Sequence, residues 1–159
     1  MRVVPFEMDP NSPVVRLCVQ GMECEGRGLF EDASRLFQSA WNQSSSDVER
    51  CISAHYVARH QKDPLDTLRW NQVSLDHANA IGDDGVLEFY PSLYLNLGNA
   101  HEDAGSQREA RHFYEMSARV LDRLPEGRYC SLAREAVQKA LLRIADNRLK
   151  QSHVADTAI

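Results

Sequence analysis

At one place along the chain a histidine stands beside two acidic residues, and at another two histidines lie close together; such groups could hold a metal or cleave a bond. His101 precedes Glu102 and Asp103, and His55 lies five residues before His60. Adjacent residues of a helix point apart, and a spacing of five carries the second side chain more than a full turn past the first. We therefore expect no catalytic or metal site at either place, and we expect His101 to be a core histidine with satisfied polar atoms.

No other set of reactive residues matches a known catalytic pattern. The chain contains no GxSxG, HExxH, P-loop or GxGxxG motif. Its four cysteines form no CxxC pair, and most of them stand in predicted helices, where cysteine is commonly a small buried apolar residue. The sequence therefore predicts a protein that is not an enzyme and that uses no metal and no cofactor.

Length and composition limit the architecture. A chain of 159 residues with 43% apolar residues suits one domain whose stacked elements share a core. No apolar run is long enough to span a membrane, and the N-terminal segment lacks the apolar region of a secretion signal. We therefore expect no membrane contact and a cytoplasmic location.

Charge is distributed unevenly along the chain. Residues 1–104 carry eight Lys or Arg against sixteen Asp or Glu, whereas residues 105–150 carry ten against six. The formal net charge of −5 repels phosphate backbones, so we expect no nucleic-acid partner. The Arg-rich part could meet an acidic partner. Alternatively, its arginines lie on solvated helix faces and pair with acids one turn away, as Arg111 can with Glu115.

Small and large apolar residues recur at the spacing of two short helices that interlock. In the segment 17–40, Gly21 stands on the first predicted helix, and Ala33 and Phe37 share a face of the second. The same spacing returns in the segment 94–118. This internal repeat predicts an all-α fold built from helical hairpins.

The repeat resembles the tetratricopeptide repeat (TPR), a unit of about 34 residues with Gly at position 8, Ala at 20, an aromatic residue at 24 and Ala at 27. Two units match in register. Unit 14–47 has Gly21, Ala33, Phe37 and Ala40 at these positions, and unit 91–124 has Gly98, Ala110, Tyr114 and Ser117. Unit 48–81 matches weakly, with His55, Thr67, Asn71 and Ser74. We interpret it as a degenerate middle unit.

The resemblance implies a right-handed superhelix of stacked helical hairpins with about seven helices. The proline-containing residues 1–13 are predicted to be an extended leader, residues 14–150 a single TPR-like domain, and residues 151–159 a disordered tail. A capping helix over 128–150 should bury one face and expose the other. The buried face is predicted to contain Leu132, Ala136, Ala140 and Ile144, and the exposed face Arg134, Gln138 and Asn147.

The segment between the second and third units is longer than tandem units need, and it has two interpretations. Either helix five starts early and is kinked at Pro91, or Pro91 is the first helical residue after a linker. The sequence of residues 80–105 is similar to a longer TPR variant of about 40 residues, which favours the extended helix.

The resemblance also implies where a partner binds, because TPR proteins use the concave face lined by the first helix of each unit. In this chain the candidate partner-binding residues are Met22, Tyr56, Arg59, Asn96, Asn99 and Glu102. Asn99 is the best single candidate, since an amide both donates to and accepts from a peptide backbone. We therefore expect a non-catalytic adaptor that binds a protein or peptide.

Two other functions stay open at this point. One is a homo-oligomeric structural or assembly protein, for example a homodimer, in which the middle unit or the Leu-rich seventh helix packs against a copy of itself. The other is a regulatory sensor of a signalling peptide.

Overall fold

The computed structural model describes residues 9–82 and 84–156, with the side chains of all but 84, 85 and 154–156. Within these ranges the protein is all-helical and has no strand. The seven α-helices are α1 (Pro13–Gly26), α2 (Phe30–Gln43), α3 (Asp47–Ala58), α4 (Pro64–Ile81), α5 (Tyr90–Asp103), α6 (Gln107–Leu121) and α7 (Arg128–Asp156). None of the helices in this part of the chain is both long and apolar enough to cross a bilayer.

Local sequence signals set several helix ends. At the start of α3, the Ser46 side chain accepts a hydrogen bond from the Glu49 backbone N–H (3.2 Å), and the Glu49 carboxylate accepts one from the Ser46 N–H (3.4 Å). This capping box satisfies two backbone donors. α4 has Pro64 in its first turn and ends at Gly82, whose φ of 66° suits a left-handed C-cap. The predicted leader lies mostly outside the described residues.

Helices that are adjacent in sequence form three pairs, α1 with α2, α3 with α4 and α5 with α6, and α7 packs on α6. In the first and third pairs an aromatic ring lies against a glycine. A Cβ atom at Gly21 would fall 2.3 Å from Phe37 Cε1, and one at Gly98 would fall 2.2 Å from Tyr114 Cε1. Both rings are fully buried. The close helix approach predicted at Gly21 and Gly98 is confirmed.

The middle pair is held together differently. Ser74 Oγ donates to the Cys51 carbonyl oxygen at 2.7 Å across α3 and α4, and Leu75 and Ala78 join Cys51 in a core cluster that continues into α5. No aromatic ring stands at the Phe37 or Tyr114 position, because Asn71 occupies it. The α3–α4 pair therefore lacks the ring that fills the other two.

The segment between α4 and α5 differs from the extended helix that we expected. It contains a 3₁₀-helix (Asp84–Phe89), and α5 begins at Tyr90 with Pro91 in its first turn. A proline has no N–H to donate and clashes with the carbonyl four residues earlier, so an α-helix does not run through it undisturbed. Val86 is fully buried and fixes the 3₁₀-helix against the core.

α7 is longer than predicted, and its buried face differs in part from the prediction. Residues 151–156 are helical instead of disordered, and 157–159 lie outside the described residues. Leu132, predicted to face the core, is 59% exposed, whereas Arg134, predicted to meet water, is half-buried and donates to the Leu121 carbonyl oxygen at 3.1 Å. The buried stripe is Cys130, Val137, Ala140 and Ile144. The prediction is confirmed for Ala140 and Ile144, which are buried, and for Gln138, which is exposed. It was wrong for Leu132 and Arg134, because a row of residues four apart drifts around a helix of 3.6 residues per turn.

Candidate functional site

A cavity of about 290 Å³ lies between α3, α4 and α5, and we call it the α3–α5 pocket. Its lining includes His55, Ala58, Arg59, Thr67, Asn71, Ser92, Leu95, Asn96, Asn99, Ala100 and Asp103. Pockets of this size take a small ligand or a side chain and are usually lined mainly by apolar groups. Here most of the lining side chains are polar, which favours recognition by hydrogen bonds.

The pocket lies where the middle unit departs from its neighbours. In the first and third pairs, Phe37 and Tyr114 fill the space between the two helices. Asn71 replaces the ring, is only 4% exposed, and donates through Nδ2 to the Thr67 carbonyl oxygen at 3.0 Å. A short amide held back against its own helix cannot span the width of a phenyl ring. The space is therefore left open towards α5.

His55 forms the wall between α3 and α5. Its ring packs edge-on against Tyr56 and Phe89, with centroid distances of 5.1 and 5.5 Å, and its Nδ1 lies 3.2 Å from Asn96 Nδ2. Burial, with a smaller contribution from the Arg59 charge, lowers the pKa of His55 to about 4. The ring is therefore neutral at pH 7, so that Nδ1 accepts from Asn96 and Nε2 carries the proton.

Three asparagines in the pocket each use one end of the amide for the fold. Asn71 and Asn96 donate through Nδ2, and Asn99 accepts from the Tyr114 hydroxyl through Oδ1 at 2.8 Å. No hydrogen bond within the described part of the chain uses the opposite ends of these amides. A ligand in the pocket thus meets the carbonyl oxygens of Asn71 and Asn96 and the amino group of Asn99.

Arg59 reaches the pocket from α3 but is also paired with α1. Its Nη2 lies 3.1 Å from Glu25 Oε2, and the other oxygen of that carboxylate is 2.7 Å from His60 Nε2. The Arg59 side chain is 47% exposed, and exposed ion pairs contribute little net free energy. An acidic group of a ligand can therefore compete with Glu25 for this guanidinium.

Tyr56 and Met22, expected to share a surface with the asparagines, lie beside the pocket and do not line it. The Tyr56 ring stacks on Phe37 with a centroid distance of 5.0 Å and an interplanar angle of 15°, and Arg59 covers the ring at 5.6 Å. The Tyr56 hydroxyl donates to Met22 Sδ at 3.1 Å. Tyr56 therefore joins α1, α2 and α3 and has little surface left for a ligand to stack on.

Glu102, the remaining candidate, is bound by α7. Arg143 Nε and Nη2 each lie 2.7 Å from one of its carboxylate oxygens, and the Tyr114 hydroxyl lies 2.7 Å from Oε2. The Arg143 hydrogen bonds, together with that of Tyr114, lower the pKa of Glu102. Tyr114 has one proton, which goes either to Glu102 or to Asn99. When it goes to Glu102, the Asn99 amide becomes wholly available to the pocket.

His101 differs from the satisfied core histidine that we expected. Its ring stacks on Phe113 at 5.2 Å and 13°, but its buried Nδ1 has no hydrogen-bond partner among the described residues. Burial lowers the pKa of His101, and the opposing effect of the Glu109 charge is smaller. In the same part of the chain, no three His, Cys, Asp or Glu side chains are placed to hold a metal ion.

Of the residues that form the pocket, the sequence identified Arg59, Asn96 and Asn99 as candidates. His55 and Asn71 were missed as site residues, although both departures from the repeat were visible. The signal that could have indicated a cavity is that unit 48–81 lacks both the glycine and the aromatic residue of the repeat. We had interpreted this only as degeneracy of the unit.

Comparison with protein-family models, with curated proteins and with solved structures gives no match to this chain. Any functional conclusion therefore depends on the arrangement of its own residues.

Proposed function

We propose that the chain is a TPR-like stack of helical hairpins that binds an extended peptide segment of a partner protein in the α3–α5 pocket and catalyses no reaction. The observation that carries this proposal is the set of half-used amides of Asn71, Asn96 and Asn99 around one cavity. Polar groups that line a cavity with unused hydrogen-bonding capacity favour a ligand that supplies both donors and acceptors.

The stacked arrangement is supported by the way the helix pairs meet. Each pair contacts the next through α2 with α3 and α4 with α5, and the glycine–ring contact recurs in the first and third pairs. The first helices of neighbouring pairs also meet, as in the hydrogen bond between His55 on α3 and Asn96 on α5. Such a stack has a concave face made of α1, α3 and α5.

An extended peptide fits the chemistry of this face. Each peptide unit offers one N–H and one C=O, which match the acceptors of Asn71 and Asn96 and the donor of Asn99. The cavity of about 290 Å³ has room for one side chain of the segment. Arg59 and Asp103 bring opposite charges to its edge, so a polar side chain suits it better than an aliphatic one.

Selection of peptides from a display library on the purified protein tests this function. Peptides that are enriched should bind at least tenfold more weakly to the double variant Asn96→Ala/Asn99→Ala, a loss of about 1.4 kcal/mol or more. Asn42→Ala is the control, because Asn42 is an exposed helical asparagine on α2 that does not line the pocket. If the double variant and the control bind the peptides equally well, the pocket is not the binding site.

Self-association is a second candidate function, favoured by the exposed leucines of α7. Leu142 is 67% and Leu149 is 60% exposed, and a spacing of seven places them on one helix face. Light scattering over a wide concentration range tests it. A dimer formed through α7 should dissociate in Leu142→Glu/Leu149→Glu and persist in Leu65→Glu, which changes an equally exposed leucine on α4.

A further inference from the structure

A second cavity, of about 490 Å³, lies between the N-terminal end of α6 and the C-terminal half of α7. It is lined by Gln107, Arg108, Arg111, Ile144, Arg148 and Gln151. α7 runs antiparallel to α6, because Arg134 meets Leu121 at the end of α6 and Arg148 shares this cavity with Gln107 at its start. Gln151, past Lys150, completes the lining. We call it the arginine pocket, since three of its six lining residues are arginines.

The positive charges of the arginines in this pocket are less fully paired with acidic side chains than those of two other arginines in α7. Arg134 and Arg143 are bound to acidic residues at 3.0 and 2.7 Å. In the arginine pocket only Arg111 has such a partner, Glu115, which it contacts through Nε at 2.8 Å. Arg108 and Arg148 have no ion pair with any described residue.

Nearby acids compensate the pocket only in part. Glu109 follows Arg108 directly and so projects from a different face of α6, because successive helical side chains diverge by about 100°. Glu115 pairs with Arg111 through Nε, but the Nη groups of Arg111 remain available, since a guanidinium has five N–H donors in all. Three arginines that share one acidic partner leave a net positive charge at the pocket, which favours an anion there.

We propose that the arginine pocket binds a phosphate monoester carried on a serine or threonine side chain of a partner peptide. Guanidinium groups bind phosphate oxygens through paired, charge-assisted hydrogen bonds. The amides of Gln107 and Gln151 add neutral donors at the rim, and Ile144, which is only 2% exposed, closes the floor of the pocket. The first turn of α6 contributes further, because the Ser106 side chain makes no capping hydrogen bond and leaves its backbone N–H groups available.

The charge of the whole chain favours a single phosphate group over a polyanion. With a net charge of −5 and an excess of acids in residues 1–104, the protein repels a nucleic acid or an anionic membrane along most of its length. A single phosphoryl group contacts only the basic pocket. This site involves α6 and α7 alone, so it is independent of the peptide segment proposed for the α3–α5 pocket.

The test compares two synthetic peptides of the same Gly-rich sequence, one with phosphoserine and one with serine, by calorimetry on the full chain. We expect saturable binding of the phosphopeptide and none of the serine peptide. Binding should weaken at least tenfold in Arg108→Gln/Arg148→Gln and should fall as salt is added. The matched control is Arg119→Gln/Arg123→Gln, which removes the same charge from two exposed arginines outside the pocket and should bind as the wild type does.

Several results would overturn the proposal. Equal loss of binding in the pocket variant and the control would mean that only net charge matters. Inorganic phosphate that binds as tightly as the phosphopeptide would assign the site to a free anion. Binding of single-stranded DNA or of phosphatidylserine vesicles through Arg108 and Arg148, without binding of the phosphopeptide, would assign it to a polyanion. Absence of phosphopeptide binding to the wild type, whose fold circular dichroism verifies, would remove the proposal altogether.

Discussion

Two glycines determine how closely the helices of the first and third pairs approach. A Cβ atom at Gly21 or Gly98 would lie 2.3 or 2.2 Å from a ring carbon of Phe37 or Tyr114, well inside van der Waals contact. We expect Gly21→Ala and Gly98→Ala each to lower the free energy of unfolding by about 1–3 kcal/mol, through overpacking. Urea denaturation measures the change.

Gly26 supplies the control for these substitutions. It also lies in α1, but a Cβ atom there would meet nothing within 4 Å. Gly26→Ala should leave stability unchanged or raise it by up to about 1 kcal/mol, because alanine has the higher helix propensity. In a Phe37→Leu background the penalty of Gly21→Ala should shrink, since the two residues touch. If Gly21→Ala behaves as Gly26→Ala does, the ring does not lie on the glycine.

The carboxylate of Glu102 makes stability depend on pH. Its hydrogen bonds with Arg143 hold its pKa below the ordinary value of 4.5, so the stabilisation is present above that value and is lost as pH falls through the folded-state pKa. We expect Glu102→Gln to cost about 1–2 kcal/mol at pH 7, an amount reduced by the partial exposure of Arg143. The difference from the wild type should vanish at strongly acidic pH, as measured by urea denaturation across pH.

Glu115→Gln is the control for this effect, because Glu115 forms an exposed pair with Arg111 within one helix. Such pairs are worth about 0.2–0.5 kcal/mol. A stability difference for Glu102→Gln that stays constant from neutral to acidic pH would show that the ionised carboxylate is not the stabilising species.

Within the elements, the middle hairpin departs from its neighbours at two positions that line the same pocket. His55 stands at the glycine position and Asn71 at the ring position, and both line the α3–α5 pocket. The double variant His55→Gly/Asn71→Tyr should restore the contact seen between Gly98 and Tyr114. We expect its loss of stability to be at least about 1 kcal/mol smaller than the sum of the two single losses.

Each single change has a physical reason to destabilise. Asn71→Tyr places a ring against His55, and His55→Gly loses the bond to Asn96 and puts a glycine within a helix. Chemical denaturation of the four proteins gives the coupling free energy. Strictly additive losses would mean that His55 and Asn71 do not occupy equivalent positions to Gly98 and Tyr114. The double variant should also lose peptide binding, because the ring fills the cavity.

The sequence predicts those elements whose signals are local. The Ser46 cap, the Pro64 start and the Gly82 stop each involve neighbouring residues, and all three are present in the structure. The face of α7 depends instead on how far the helix runs along α6, which no local spacing encodes. The hydrogen bond between Arg143 and Glu102 joins residues 41 positions apart, which no local signal marks. Glu102 was therefore predicted to line the binding groove, whereas in the structure its carboxylate is bound to α7.

The candidate site was predictable only in part, for a related reason. Arg59, Asn96 and Asn99 follow from their positions in the repeat, because the register is fixed by Gly21 and Gly98. The missing ring is visible in the sequence, where Asn71 stands at the aromatic position, but the space that it leaves between α3, α4 and α5 is evident only in the structure. His55 and Asn71 are therefore site residues because of where the fold places them, and their residue types alone do not indicate a binding site.

Across the whole molecule, the two pockets differ in charge and in position. The α3–α5 pocket is lined by amides and belongs to the acidic part of the chain, whereas the arginine pocket belongs to the part with ten basic and six acidic residues. Added salt screens charge pairs but barely affects neutral hydrogen bonds. We expect peptide binding at the α3–α5 pocket to change less than phosphopeptide binding at the arginine pocket when salt is raised, as measured by calorimetry.

The most direct test of the account is to map a display-selected peptide onto the protein by heteronuclear NMR. We predict that the largest shift changes occur in the side-chain amides of Asn96 and Asn99 and in the backbone of residues 55–59 and 92–103, while α7 is little affected. Large changes confined to α6 and α7, with the asparagine amides unmoved, would contradict the claim that the α3–α5 pocket is where this protein binds a peptide.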